Sequence, residues 1–145
     1  MEPVTPSLQP MELSFPLPKT PHTTLHIHLT FLATSTLVFL STTTPGDTGQ
    51  VGGPLKSMGS FVYSMPDRTN PASAITTTLF SSPGSIDYAT RTSKVLARRT
   101  GLPVYVGCNL NSTALGSTAE EEMEGFSKII TTIMDKWQTR TAENR

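Results

Sequence analysis

Alternating apolar and polar residues dominate the first half of the chain. In residues 25–31, apolar side chains occupy the odd positions, and polar ones, including His26 and His28, occupy the even positions. This two-residue period predicts a half-buried β-strand. Residues 36–42 follow after a short polar break, so we expect the two segments to form a hairpin. Because residues 37–40 are apolar on both faces, they predict a central strand that is covered on two sides.

Four more segments predict strands, at residues 12–18, 61–65, 75–80 and 104–108. The prolines in 12–18 confine that segment to the edge of a sheet, where a missing N–H is tolerated. Phe61, Tyr63 and Met65 alternate with smaller residues, and therefore share one face of their strand.

The first predicted helix runs from the end of the fifth strand to Thr100. Ser85 is a candidate N-cap, and Asp87 lies in the first turn, where a negative charge suits the helix dipole. Gly101 can adopt the left-handed conformation that commonly follows a helix, and Pro103 prevents the helix from continuing. The pattern predicts an inner stripe made of Ile86, Ala89, Ser93, Leu96, Ala97 and Thr100.

The second predicted helix follows the last strand. Thr118 and Glu121 have the spacing of a capping box. Apolar residues then recur at intervals of three and four up to Trp137, where we expect the helix to end. The predicted inner stripe consists of Met123, Phe126, Ile129, Ile130, Ile133, Met134 and Trp137.

These elements predict a single α+β domain, with an approximately six-stranded, mainly antiparallel sheet packed by two helices. Residues 11–137 would form the domain, with a flexible loop at 43–59. Proline-rich residues 1–10 predict a disordered arm, and residues 138–145 predict a polar tail.

Composition narrows the classes of function. Eleven basic residues balance eleven acidic ones, and this balance argues against a nucleic-acid-binding protein. Cys108 is the only cysteine, so it suits a reducing compartment and a structural role. The start of the chain shows no signal-peptide pattern, and the apolar window 25–40 is short and interrupted by polar residues. We therefore expect no membrane association, and a location in the cytoplasm or nucleus.

An ordered series of segments in the second half resembles the proteasome assembly chaperone 4 family, in a fungal-looking version. The matching pieces are Ile75-Thr76-Thr77-Thr78-Leu79-Phe80, Leu96-Ala97-Arg98-Arg99-Thr100, Val104-Tyr105-Val106 with Asn109-Leu110, and Glu121-Glu122-Met123-Glu124-Gly125-Phe126. The strands containing His26-Ile27-His28 and Leu37-Val38-Phe39-Leu40 stand at the expected earlier positions. The chain departs from the family pattern before Met11, in 43–59 and after Phe126.

The resemblance implies an antiparallel sheet packed by helices. It also implies a heterodimer with an assembly chaperone 3-like protein, and transient binding to proteasome α subunits, chiefly the α5 subunit, while the α ring forms. The family brings no catalysis, no cofactor and no metal with it. Under this interpretation Lys94, Arg98 and Arg99, together with His26 and His28, are candidate partner-binding residues.

One alternative is an enzyme. Asp47-Thr48-Gly49 is the sequence of an aspartic protease loop, whose chemistry needs two carboxylates that share a proton. A dimer would supply the second carboxylate. However, Thr43 to Gly46 separate Asp47 from the preceding apolar strand, so we favour an exposed turn.

Two weaker site patterns remain. His22, His26 and His28 face the same way on an extended strand, and imidazoles so spaced can bind zinc, although no cysteine or carboxylate is nearby in sequence. The plainer interpretation is a half-polar strand face. Lys94 and Arg98 with their neighbour Arg99 form a basic surface, which is either solvated or used to steer an acidic partner.

Overall fold

The computed structural model describes residues 10–17, 22–43, 59–70, 72–110 and 119–143, which form six strands and two helices. In chain order the elements are β1 (Met11–Pro16), β2 (Thr24–Phe31), β3 (Thr36–Thr43), β4 (Ser60–Pro66), β5 (Ala74–Phe80), α1 (Ile86–Thr100), β6 (Val104–Cys108) and α2 (Ala119–Glu143).

The strands form one mixed sheet with the order β1-β2-β3-β6-β4-β5. The first three strands are an antiparallel meander, and β4 pairs antiparallel with both β5 and β6. Strand β6 lies parallel to β3, because α1 returns the chain across β4 to the middle of the sheet. The α+β class, the hairpin and the edge position of the first strand are confirmed.

Both helices pack on the same face of the sheet. The odd positions of β2 are buried there, together with Val38, Val62 and Val106. Burial of each such side chain contributes about 1.5–3 kcal/mol. Helix α2 lies beside β1 and β2: the Lys128 ammonium is 4.7 Å from the ring centroid of Phe15 in β1, and the Arg140 guanidinium is 5.6 Å from that of Phe31 in β2.

Helix α1 begins and ends where the sequence predicts, but the capping differs at its start. The Ser85 side chain makes no hydrogen bond to the first turn. Its hydroxyl is instead 2.9 Å from the Ser60 hydroxyl, so it joins the helix to β4. Gly101 has φ 69° and donates its N–H to the carbonyl of Ala97, which confirms the left-handed end.

The buried stripe of α1 includes two residues that the sequence pattern did not predict. Tyr88 is 2% exposed and Thr92 is fully buried, whereas Ile86 and Thr100 are half-buried. Tyr88 turns inward because its ring packs against Phe126 of α2, with the ring centroids 6.3 Å apart.

Helix α2 extends past the predicted end at Trp137 to Glu143. Threonine hydroxyls hydrogen-bond to backbone carbonyls in the last turns: Thr139 donates to the carbonyl of Asp135, and Thr141 donates to that of Trp137. The predicted inner stripe is buried or half-buried except for Met123, which is 61% exposed.

The prediction that β3 is covered on both sides is wrong for the described chain. Val38 and Leu40 are buried beneath the helices, but Leu37 and Phe39 are half-buried on the opposite face. No described element lies over that face. We call it the open face of the sheet.

Several predictions fall on residues outside the described ranges. The arm up to residue 9, most of the 43–59 loop and Thr118 of the predicted capping box are among them. Within the described ranges, no helix combines the length and apolar character that a membrane span requires.

Candidate partner-binding surfaces

Two rows of side chains cross the open face from β3 to β5. The strand registers align Leu37 with Tyr105, Tyr63 and Thr77 in the first row. They align Phe39 with Gly107, Phe61 and Phe80 in the second row. Because residues of equal pleat parity point the same way, all of these side chains stand on the open face.

The aromatic rings of the two rows contact one another. Tyr63 and Tyr105 have centroids 4.7 Å apart, and Phe61 lies 6.0 Å from Tyr105. Phe39 and Phe61 are 6.0 Å apart across Gly107, which has no side chain to separate them. These distances fall in the range of favourable ring pairs. The result is a continuous aromatic surface, which we call the aromatic patch.

Apolar exposure increases toward β5. Met65 and Ile75 face each other across β4 and β5, and they are 39% and 50% exposed. Phe80 is 58% exposed at the end of the second row. Contiguous apolar surface of this kind marks interaction sites in soluble proteins.

The other half of the open face is polar. His28 lies between Phe39 and Glu12 in the strand registers, and its Nε2 is 3.7 Å from the Glu12 carboxylate. His26 Nε2 is 2.8 Å from the Thr43 hydroxyl. Both histidines therefore border the aromatic patch, as a polar rim borders the core of a protein interface.

The described residues hold no group of three or more His, Cys, Asp or Glu side chains that could bind a metal ion. His22 is exposed ahead of β2, and His26 and His28 contact the partners given above. Asp47 of the protease-like sequence lies outside the described residues. The protease alternative therefore stays untested by the geometry.

The predicted basic surface lies on the opposite side of the molecule from the open face, on α1. Lys94, Arg98 and Arg99 are all exposed. Within the described ranges none of the three makes an ion pair. Arg98 donates from Nη1 to the carbonyl of Ala72 and from Nε to that of Lys94, each at 3.4 Å.

A groove of mixed polar and apolar lining adjoins this basic surface between the helices. It has a volume of about 230 Å³, and its lining includes Val95, Arg99, Met123, Phe126 and Ile130. The guanidinium of Arg91 lies 6.0 Å from the Phe126 ring at the same junction.

Serine and threonine hydroxyls occupy the interface between α1 and the sheet. The Ser64 hydroxyl is 2.7 Å from that of Ser93 and 2.9 Å from that of Thr76. Cys108 is fully buried, and burial raises the pKa of its thiol to about 11. Such a thiol is protonated at neutral pH, and it therefore suits a structural role better than a nucleophilic one.

Sequence reasoning missed the aromatic patch as a site. Its signals were present, since 37–40 is apolar on both faces and Phe61, Tyr63 and Met65 alternate. The first signal was interpreted as a central strand covered on two sides, and no role was assigned to the face that Phe61, Tyr63 and Met65 share. The structure instead leaves them on a face that no described element covers.

A small α+β domain with an aromatic sheet face that no described element covers has the features of a protein-binding module. The sequence profile described as Proteasome assembly chaperone 4 matches residues 24–110. The chain belongs to the proteasome assembly chaperone 4 family, and its family gives it a role in proteasome assembly. A comparison with curated proteins finds no match.

The fold is also found in a solved structure. A chain from the crystal structure of a chaperone complex for yeast 20S proteasome assembly aligns with a TM-score of 0.59 at 14% identity. The alignment covers 90% of this chain and 95% of that chain. At this identity the likeness shows a shared fold.

Proposed function

We propose that this chain is one half of a heterodimeric chaperone for the α ring of the 20S proteasome. The other half is an assembly chaperone 3-like protein, and the heterodimer holds α subunits, chiefly the α5 subunit, while the ring forms. The chain works by surface complementarity and carries out no catalysis. Its family and its fold support this proposal, and we place it in the cytoplasm and the nucleus.

The observation that carries the heterodimer is the aromatic patch, over which no described element lies. Aromatic side chains supply large contact areas at low conformational cost, and they dominate the energetics of protein interfaces. A second sheet that stacks about 10 Å above the open face would cover Phe61, Tyr63 and Tyr105 together. His26 and His28 would then lie at the border of the contact.

The basic surface of α1 provides a second contact surface, which stays exposed when a partner covers the open face. Lys94, Arg98 and Arg99 lie on the helical side of the sheet, so a partner stacked on the open face does not cover them. We assign these cations to the contact with an α subunit. Exposed charges of this kind chiefly raise the rate of encounter and select among partners.

The experiment is co-expression with an assembly chaperone 3 homologue, followed by measurement of the complex mass and affinity. We expect a one-to-one complex. Replacement of Tyr105 by Asp places a charge at the centre of the aromatic patch, where loss of a central aromatic residue costs at least about 2 kcal/mol. The affinity should therefore fall by at least about 30-fold.

The matched control is Thr131→Asp, which adds the same charge at an exposed position of α2 on the helical side. It should leave the affinity within about twofold of the parent chain, because surface charges far from an interface contribute little. A chain that stays monomeric beside the homologue, or equal effects of the two variants, would refute the proposed interface.

A further inference from the structure

The two edges of the sheet are protected unequally. Strand β1, at one edge, contains Pro16 and the charged residue Glu12. Strand β5, at the other edge, contains neither a proline nor a charge. Because soluble proteins use such residues to prevent strands from pairing with exposed edges, β1 is protected, whereas among the described residues β5 is available for pairing.

The available part of β5 is short and regular. The register shifts between Phe61 and Val62 of β4, so Leu79 is an extra residue near the end of β5. A bulge of this kind interrupts the regular register, which resumes only at the Phe61–Phe80 pair. Residues 74–78 precede it and pair in register with β4. Their outward backbone groups can accept an additional strand of about five residues.

Two cations lie beside the start of this edge. A groove of about 240 Å³ runs between Ala72, Ser73 and Ala74 on one side and Lys94 and Arg98 on the other. The bonds from the Arg98 guanidinium to two backbone carbonyls hold it over the groove. A guanidinium that has only neutral acceptors retains its capacity for a bidentate bond to a carboxylate.

Among the described acidic residues, Asp67 is the nearest in sequence to the β4–β5 turn, and its carboxylate already has hydrogen-bond partners. The Asp67 carboxylate accepts hydrogen bonds from the N–H and the hydroxyl of Thr69, at 2.9 and 2.6 Å. These bonds lower the pKa of Asp67. Asp67 therefore closes its own turn and leaves the charge of Lys94 and Arg98 available.

We propose that the β5 edge binds an extended segment of a partner protein, which adds a strand along residues 74–78 and places a carboxylate between Lys94 and Arg98. Backbone hydrogen bonds supply the affinity of this mode, and the cations select an acidic segment. The inference deepens the proposed α1 contact, and it rests on the proposed function only for the identity of the partner.

The test uses the full chain and a fluorescein-labelled peptide, Thr-Val-Thr-Val-Thr-Glu-Glu, with a Lys-Lys version as its counterpart. Anisotropy measures the affinity, and hydrogen exchange locates the site. We expect the acidic peptide to bind at least tenfold more tightly than the basic one. It should slow amide exchange within residues 74–78, because outward N–H groups acquire partners.

Charge reversal separates this site from the rest of the surface. Lys94→Glu and Arg98→Glu should each weaken binding of the acidic peptide at least fivefold. Lys136→Glu, an identical charge change at an exposed position of α2, should leave it unchanged. All three variants should still bind the assembly chaperone 3 homologue normally, so failure of this inference is distinguishable from failure of the heterodimer.

A second pair of variants tests the backbone contribution. In an edge strand, successive N–H groups point alternately toward the neighbouring strand and away from it. Of the two variants Thr77→Pro and Thr78→Pro, one therefore removes an outward donor and preserves pairing with β4, and the other removes a donor to β4. The variant that stays folded, judged by Trp137 fluorescence, should bind the acidic peptide at least fivefold more weakly. Undiminished binding in that variant, unprotected β5 amides, or equal affinity for both peptides would overturn the proposal.

Discussion

The junction between β4 and β6 depends on Gly59, and replacing it with Ala should destabilise the protein strongly. Gly59 has φ +78°, and a Cβ there would lie 2.2 Å from the Cys108 carbonyl oxygen and 2.8 Å from the Asn109 Cα. Both obstacles are backbone atoms, so a rotamer change cannot relieve the overlap. Strand β4 would have to move away from the end of β6.

Gly101→Ala is the matched control, since Gly101 has φ +69° but a Cβ there would meet no atom within 4 Å. Its free energy of unfolding should fall only by the cost of placing an alanine in the left-handed conformation, about 1–2 kcal/mol. Gly59→Ala adds the cost of overpacking, about 1–3 kcal/mol more. Movement of β4 would also displace Phe61 and Tyr63, so binding to the assembly chaperone 3 homologue should weaken too.

Urea denaturation followed by the fluorescence of Trp137, the single tryptophan, measures both free energies of unfolding. Gly59→Ala should be the less stable variant by at least about 1 kcal/mol. Equal losses in the two variants would refute it, because they would show that the backbone conformation alone determines the cost.

Three further predictions concern the core. Ser64→Ala should cost about 0.5–1.5 kcal/mol in urea unfolding, since it removes one hydrogen bond from the buried Ser93 hydroxyl, which still donates to the Thr90 carbonyl; an unchanged midpoint would contradict this. Ile133→Ala should cost about 2–5 kcal/mol because Ile133 is 1% exposed, whereas Met123→Ala, at a 61% exposed position, should cost far less. Cys108 should react with iodoacetamide at pH 8 only after unfolding. Because burial raises the pKa of Cys108 from 9.0 to about 11, the folded state retains the proton longer, and stability should fall as the pH rises across that interval.

The strands of the fold were predictable from local patterns, either a period of two, as in 25–31, or a short apolar run, as in 37–40. The alternation in 25–31 correctly predicted a half-buried strand, and the prolines in 12–18 correctly predicted an edge strand. Gly101 correctly ended α1 for a local backbone reason. Non-local packing explains the errors: Tyr88 is buried because Phe126, far along the chain, packs against it.

The candidate site was less predictable, because a sequence does not distinguish burial within a chain from burial between chains. Leu37 and Phe39 have the pattern of a strand covered on both sides, and the structure covers only one. The basic residues Lys94 and Arg98 were identifiable as exposed. Their position beside the β5 edge depends on the β4–β5 turn, which brings Ala72 to Arg98.

The three tyrosines offer a direct test of the central claim that the open face binds the partner chain. Tyr63 and Tyr105 stand on that face, and Tyr88 is buried in the core as an internal control. Nitration by tetranitromethane, quantified by mass spectrometry, should modify Tyr63 and Tyr105 in the isolated chain and spare them in the complex with an assembly chaperone 3 homologue. Tyr88 should be spared in both states. Equal nitration of Tyr63 and Tyr105 with and without the bound homologue would contradict the account.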